Sequence, residues 1–271
     1  MTVQTAIRLV PTQPAPQQAP LGRTAAIASG KGGVGKTWFA TTLAHALARR
    51  GRRVLLFDAD LGLANIDIQL GLTPTHDLAS VVSGAVPLAR AISAFAPGGF
   101  DVLAGSSGSG TLSTMDAAAV DRLLAALASA AEGYDHVLLD LGAGLDRAVR
   151  RMSAWVDTLL VVATEEPTSL TDAYATLKLH AADRPGGDVR LVVNQVTTAA
   201  AGERTSATLA RACTVFLGRA PVLAGYIRRD PHVQDAIRRQ APLLVRHPNC
   251  PASLDVEAIA AGLLARNAGR P

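Results

Sequence analysis

Gly30-Lys31-Gly32-Gly33-Val34-Gly35-Lys36-Thr37 is the stretch on which the reading of this chain turns. It fits the phosphate-loop pattern GxxxxGK[ST] and lies where that pattern has a mechanism. The short apolar run Thr24 to Ser29 precedes it, and Thr37 to Arg50 follows with apolar residues at helical spacing, ended by Gly51. Glycines allow backbone angles and a close approach that side chains would block. Successive N–H groups can then wrap a phosphate while the helix N-terminus adds partial positive charge. Lys36 is placed to reach the β and γ phosphates of a nucleotide. Thr37 can offer its hydroxyl to Mg²⁺, which shares oxygen ligands between protein, water and phosphate. The candidate contacts are Gly30, Lys31, Gly32, Gly33, Val34, Gly35, Lys36 and Thr37, with Trp38 next along the helix.

Outward from the loop, Val54 to Phe57, Asp101 to Ala104, His136 to Leu141, Thr158 to Ala163, Arg190 to Asn194 and Val222 to Ile227 read as further buried strands. Stretches of helical composition such as Asp116 to Ala131 and Leu170 to Ala182 separate them. Strands alternating with helices predict an α/β fold, a three-layer phosphate-loop NTPase with a mostly parallel central sheet covered by helices on both faces. That domain is expected over 23–271. Residues 1–22, which include PTQPAPQQAP from Pro11 to Pro20, read as a disordered Pro/Gln/Ala-rich tail.

Ligands bind such sheets where the strands deliver their carboxyl ends, so polar residues there are the candidates for chemistry. Asp58 and Asp60 stand one residue apart, read as lying on alternate sides of the chain as it leaves Val54 to Phe57, so that only one of them is expected to point at a nucleotide. His136 to Leu139 delivers Asp140 to the same edge, followed by Leu141-Gly142-Ala143-Gly144. An apolar strand ending in Asp is the expected partner of a phosphate loop, holding the metal through a water, and the glycines leave the next loop able to switch.

Composition bounds the rest. Of 271 residues 49% are apolar but only 4% aromatic, which predicts one large core packed by Ala, Leu and Val. Cys213 and Cys250, far apart, cannot make a disulfide framework, and no spaced Cys/His set suggests a metal cage. A reducing cytoplasm fits best. Met1 to Pro20 lacks a signal pattern and no apolar run is long enough for a bilayer, so the chain reads as soluble. The formal charge is +4, and the arginines fall in scattered pairs (Arg49/Arg50, Arg52/Arg53, Arg150/Arg151, Arg228/Arg229, Arg238/Arg239), which suits solvated helix faces better than a nucleic-acid patch. Ser253 to Arg266 is partly amphipathic but Ala-rich, with only Arg266 and Arg270 as cations near its end. It is expected to pack on the core rather than lie on a membrane.

Lys31 gives the loop the form KGGVGKT, which resembles the deviant phosphate loop of the MinD/ParA superfamily of ATPases. The resemblance implies ATP and Mg²⁺ as cofactors, slow and partner-stimulated ATP hydrolysis, and a homodimer in the ATP state, with Lys31 reaching the partner's phosphates. A second cation beside a polyphosphate stabilises only when nucleotide is present, since two lysines alone repel. The resemblance further implies that Asp60 positions the attacking water, with Asp58 near the Mg²⁺ that Thr37 and Asp140 also serve. The catalytic set is then Lys31, Lys36 and Asp60. Asn194 and Asp230 match the family's adenine-side positions, with Arg228 where Pro is usual.

DADLGLANIDIQLGL (Asp58 to Leu72), DLGAGL (Asp140 to Leu145) and ATEEPTSLTDAYA (Ala163 to Ala175) are together most similar to the FlhG/FleN branch, the flagellar-number regulators, from about Arg23 to about Leu244. This implies an ATP-driven switch acting through an FlhF-like GTPase or a flagellar transcription activator, with transient membrane contact as a further property of MinD-like proteins. The alternative is a partitioning or cell-division positioning ATPase of the ParA or MinD type, acting on DNA or membrane. Members of the superfamily use the helix after the Asp140 loop to meet partners, where this chain has Asp146, Arg147, Arg150 and Arg151. Trp38 replaces a residue usually small or polar, Leu141 stands where Thr or Ser is common, and the tail lacks a DQAxxLR-like motif. No CxxC supports a cluster carrier, and no substrate domain supports an amidoligase.

Overall fold

The computed structural model describes residues 21–105 and 115–265. The tail expected over 1–22 therefore lies outside the described residues as far as 20, as do Arg266 and Arg270. In chain order the elements are β1 (Thr24–Ala28), α1 (Lys36–Ala48), β2 (Val54–Ala59), α2 (Ile66–Leu70), α3 (Leu78–Val82), α4 (Leu88–Ala91), β3 (Ile92–Phe95), β4 (Phe100–Leu103), α5 (Ala117–Ala131) and β5 (His136–Leu141). They continue as α6 (Arg147–Trp155), β6 (Thr158–Ala163), α7 (Pro167–Asp183), β7 (Asp188–Val196), α8 (Ala199–Leu217), β8 (Val222–Arg228), α9 (Pro231–Arg238), α10 (Leu243–Arg246) and α11 (Pro251–Leu264).

The described strands form one eight-stranded sheet in the order β3-β4-β2-β5-β1-β6-β7-β8. All pairs are parallel except β3 with β4. Helices cover both faces, which is why the strands read as unbroken apolar runs rather than as alternating patterns. Along β1, Ala25 and Ile27 face a core shared with Phe39, Leu43 and Leu47 of α1. Ala26 and Ala28 face a second core with Leu123 and Leu124 of α5 and Met152 of α6. Helix α1 is apolar on nearly every side because it is clamped between the sheet and α11, which contributes Val256, Ile259, Ala260 and Leu263 to the same core. The C-terminal helix thus packs as expected, although Leu254 points to solvent. Gly51, at φ +75°, ends α1 in the left-handed conformation that its position after the helix predicts.

Two elements differ from the sequence reading. The strand β3 is only four residues long and mostly not buried, so ISAF carries neither the length nor the pattern of a strand. It exists because the turn through Gly98 and Gly99 folds it back on β4, with Phe95 and Phe100 rings 5.3 Å apart. The other is β7, which runs past Asn194 to Val196. Its register against β8 shifts after Val193, and Gln195 takes φ +57°.

Gly30, directly after β1, decides how closely the loop can follow the sheet. A Cβ there would lie 2.3 Å from the backbone oxygen of Asp172 in α7, and a helix backbone cannot yield cheaply. Gly30→Ala is expected to lower stability by about 1–3 kcal/mol through overpacking. The effect should be visible as a lower urea midpoint with an unchanged slope.

Candidate functional site

Strand β1 lies between β5 and β6, so the chain turns to opposite sides of it and a crevice opens beyond its carboxyl end. The loop from Gly30 to Gly35 sits in that crevice. Gly33 and Gly35 have φ +80° and +86°, and a Cβ on Gly35 would lie 2.5 Å from Asn194 Nδ2. Asn194 Nδ2 donates to the Val34 carbonyl at 2.8 Å, and Gln195 Nε2 to the Gly33 carbonyl at 3.4 Å. In a trans peptide the N–H points opposite to the carbonyl. Drawing these two carbonyls toward β7 therefore turns the N–H groups of Val34 and Gly35 the other way, where they can collect an anion. On that side there is room, because a Cβ on Gly32 or Gly33 would meet nothing within 4 Å.

The cleft over the loop has a volume of about 650 Å³ and is lined by the loop itself together with Trp38, Asp60, Leu63, Asn65, Ile68, Ala143, Ile237, Arg238 and Gln240. Lys36, the first residue of α1, donates from Nζ to Asp140 Oδ1 at 2.8 Å, with 8% and 1% of the two side chains exposed. Burial pushes the Asp140 carboxyl above its ordinary range, while Lys36 and the Thr37 hydroxyl pull it back. Its other oxygen, Oδ2, is buried and has no hydrogen-bond partner. A buried ammonium, a neighbouring hydroxyl, an orphaned carboxylate oxygen and an open cradle of backbone N–H groups together suit a nucleoside triphosphate with a divalent cation. A concavity of about 700 Å³ between α5 and α6, lined by Asp116, Arg147, Arg150 and Arg151, is as large but has no such backbone cradle.

Asp58 and Asp60 are separated as expected, but for a different reason. Residues two apart in a strand share a face, and the split arises because β2 ends at Ala59. Asp58 is 1% exposed and accepts from the N–H groups of Asn65 and Ile66, each at 2.9 Å, and of Asp60 at 3.3 Å. Burial nevertheless pushes its carboxyl up to about 7, with Asp140 adding in the same direction. Asp60 lies beyond the strand in the cleft, its Oδ1 accepting from Gly62 and Leu63 N–H at 3.3 and 3.0 Å. At the edge of the cleft Lys31 reaches the start of α7, with Nζ 2.6 Å from Glu166 Oε2 and 3.2 Å from Thr168 Oγ1.

Asn194 and Asp230 are not among the residues lining the cleft itself. Asn194 is a buttress of the loop, and Asp230 is buried where it accepts from the N–H groups of His232 and Ala252 at 3.0 and 3.1 Å, tying α9 to α11. These bonds and the His232 ring hold its carboxyl at about 2 against the effect of burial. Arg228 has a reason to replace Pro, since its N–H donates to Asp255 at 2.9 Å and its guanidinium binds the same carboxylate. Trp38 is at the cleft rim, largely buried in the core, with its carbonyl accepting from the Thr41 and Thr42 hydroxyls.

The model of the CobQ/CobB/MinD/ParA nucleotide binding domain matches residues 25–243. The chain belongs to this family. Among its relatives, the antiactivator FleN of Pseudomonas aeruginosa is 36% identical over 235 residues, 87% of this chain and 84% of FleN. The flagellum site-determining protein YlxH of Helicobacter pylori is 32% identical over 181 residues, 66% of this chain and 60% of YlxH. The solved cell division ATPase MinD of Pyrococcus furiosus superposes with a TM-score of 0.76 at 25% identity, covering 90% of this chain and 98% of that one. The likeness to FleN bears out the resemblance carried by Asp58 to Leu72, Asp140 to Leu145 and Ala163 to Ala175.

In this MinD/ParA domain several cleft residues had no sequence signal of their own. Gln240 Nε2 donates to the Ile68 carbonyl at 2.7 Å and closes one wall, and Glu166 and Thr168 hold Lys31. These contacts join segments far apart in the chain. Among the described residues no helix is long and apolar enough to cross a membrane.

The Asp58 carboxyl predicts a pH dependence. Its folded pKa near 7 lies above the unfolded value of 3.8, so the native state keeps a proton that the unfolded chain has released. The stability this contributes is complete below about pH 4 and lost as pH rises through 7, on the order of 4 kcal/mol over the full range. Unfolding free energies of the nucleotide-free protein at pH 5 and pH 8 should therefore fall more steeply with pH in wild type than in Asp58→Asn. Buried His45, pushed down to about 4 by desolvation, acts in the opposite sense in both proteins and cancels in the comparison.

Proposed function

We propose that this MinD/ParA chain is a switch ATPase that dimerises on ATP and regulates the number or placement of flagella. The observation that carries the reading is the position of Lys31. It lines the cleft and is held by an exposed pair with Glu166 and a hydrogen bond to Thr168, surface contacts that add little net stability and are readily exchanged. A polyphosphate presented by a second copy would be the stronger anion. The mouth of the cleft supports the same reading, because Leu63 and Ile68 are 77% and 58% exposed beside Asp60, an apolar rim suited to being covered.

The cofactor is ATP with Mg²⁺. Bound ATP supplies the phosphoryl group and Mg²⁺ neutralises charge on its oxygens. Lys36 would bind the β and γ phosphates, which the backbone cradle from Gly30 to Gly35 would hold. Thr37 would offer its hydroxyl, and Asp140 its carboxylate, to the metal. Asp58 holds the chain from Asp60 to Ile66 by its three N–H bonds and so sets where Asp60 lies. Asp60 orients the attacking water. Lys31 of the second copy completes the charge stabilisation.

The flagellar assignment is supported by the names of FleN, an antiactivator, and YlxH, a flagellum site-determining protein. An FlhF-like GTPase or a flagellar transcription activator is the expected partner class. A second reading, a positioning ATPase of the MinD or ParA type, is supported by the likeness to the septum site-determining MinD of Bacillus subtilis, 32% identical over 65% of this chain. Action on DNA is the less favoured form of it, since Arg49, Arg50, Arg53, Arg150, Arg151, Arg228, Arg239 and Arg246 are each ion-paired with a carboxylate.

Light scattering should show Asp60→Ala as a monomer with ADP and a dimer with ATP and Mg²⁺, while Lys36→Ala shows no nucleotide binding. A mass that ignores the nucleotide would remove Lys31 from the mechanism. A strain lacking the protein should carry an altered number or position of flagella. Normal flagella, together with salt-sensitive DNA retention by Asp60→Ala, would favour the partitioning reading instead.

A further inference from the structure

Away from the nucleotide cleft, where β8 gives way to α9 and α11 begins, three chemically distinct side chains converge. The ligand atoms of Asp230, His232 and Cys250, a carboxylate oxygen, an imidazole nitrogen and a thiol sulfur, all lie within 4.8 Å of one another. Asp230 and Cys250 are buried, whereas the His232 ring is open to solvent on one side, which leaves an access path. We propose that Asp230, His232 and Cys250 form a Zn²⁺ site with its fourth position open to water.

The donor set is one that Zn²⁺ takes readily, combining a thiolate, an imidazole and a carboxylate. Around a tetrahedral zinc, ligand atoms stand about 3.3–3.7 Å apart, given metal–ligand distances of about 2.0–2.3 Å. Asp230 Oδ1 and His232 Nδ1 are 2.7 Å apart and must open by about 1 Å. The widest pair must close by a similar amount, both within reach of side-chain rotation. The supporting contacts are already made. Asp230 Oδ2 is oriented by Ala252 N–H at 3.1 Å, and the His247 ring packs against that of His232, centroids 4.4 Å apart and tilted by 49°, while its own Nε2 is spent on Asp235. A carboxylate and a thiolate would together neutralise the dication.

Asp230 caps α9 and also holds the His232 ring at 2.7 Å, so the carboxylate already gathers the imidazole beside the buried Cys250 thiol. The consequence of a bound ion is mechanical. Residues Ile237 and Arg238 at the far end of α9 line the nucleotide cleft, so a metal at the near end staples that wall to β8 and to the C-terminal helix. Zinc binding does not depend on nucleotide, and the test is made without it.

Full-length protein stripped with a chelator is titrated with Co²⁺ and then Zn²⁺, without nucleotide. One Co²⁺ per chain is expected, with a thiolate-to-cobalt charge-transfer band and the visible bands of a tetrahedral ion, displaced by one equivalent of Zn²⁺. Cys250→Ser should lose the charge-transfer band, and His232→Ala, on the exposed side of the cluster, should weaken Zn²⁺ binding tenfold or more; Cys213→Ser should behave as wild type. If Cys250→Ser fails to fold, His232→Ala decides by the same readings. Absence of the band in wild type, its loss in Cys213→Ser alone, or undiminished Zn²⁺ affinity in His232→Ala would overturn the site.

Discussion

The buried pair of Lys36 and Asp140 joins the first residue of α1 to the end of β5, across the crevice that β1 opens. Two charges so far from water are costly, and their mutual attraction offsets that cost only while both are present. Removing one would leave the other stranded, a heavier loss than the pair is worth. The pair holds the end of the phosphate loop against the sheet in the absence of ligand. On the proposed function, a bound nucleotide and its cation would exchange one partner of each charge for another rather than create charge in an apolar place.

The rest of the site is arranged so that this exchange happens in a fixed frame. Asn194 and Gln195 draw two loop carbonyls toward β7, Gly30 lets the loop run against α7, and Gly144 N–H bonds the Ser29 carbonyl at 3.1 Å to anchor the loop that follows Asp140. Three segments from different parts of the chain, β7, α7 and the loop after β5, thus position the backbone of the phosphate loop. Asp58 contributes from beneath, holding the turn from Asp60 to Ile66 by three N–H bonds while Asp140 sits close enough to raise its pKa. The charge states of the two buried carboxylates are coupled, so the metal region and the turn carrying Asp60 share one electrostatic environment.

Segments near the rim are held less firmly. Lys31 is tied by an exposed pair, and Leu63 and Ile68 are open to solvent. On the far wall, Gln240 bonds the Ile68 carbonyl, Arg228 bonds Asp255, and Asp230 spans α9 and α11. Gln240, Arg228 and Asp230 therefore add polar contacts on that wall, whereas α1, α11 and the sheet are fixed by apolar packing. The floor of the cleft is thus fixed by packing, while its rim, with exposed Leu63 and Ile68 and surface-held Lys31, is the freer part to rearrange.

Local pattern determined much of this protein from the sequence alone. The apolar strands, the glycine loop between strand and helix, Lys36, Thr37 and the aspartates at strand ends were legible because each is written in a few consecutive residues whose backbone requirements are specific. β3 was not, since four residues at a sheet edge become a strand only when β4 lies beside them. The strand end between Asp58 and Asp60, the turn of Asn194 toward the loop, the lean of Lys31 onto Glu166, and the meeting of Asp230, His232 and Cys250 were decided by tertiary structure. Each depends on a distance between segments far apart in sequence. Composition and spacing record what a residue can do, while packing of separate elements sets which partner it meets, and only the folded chain holds that information.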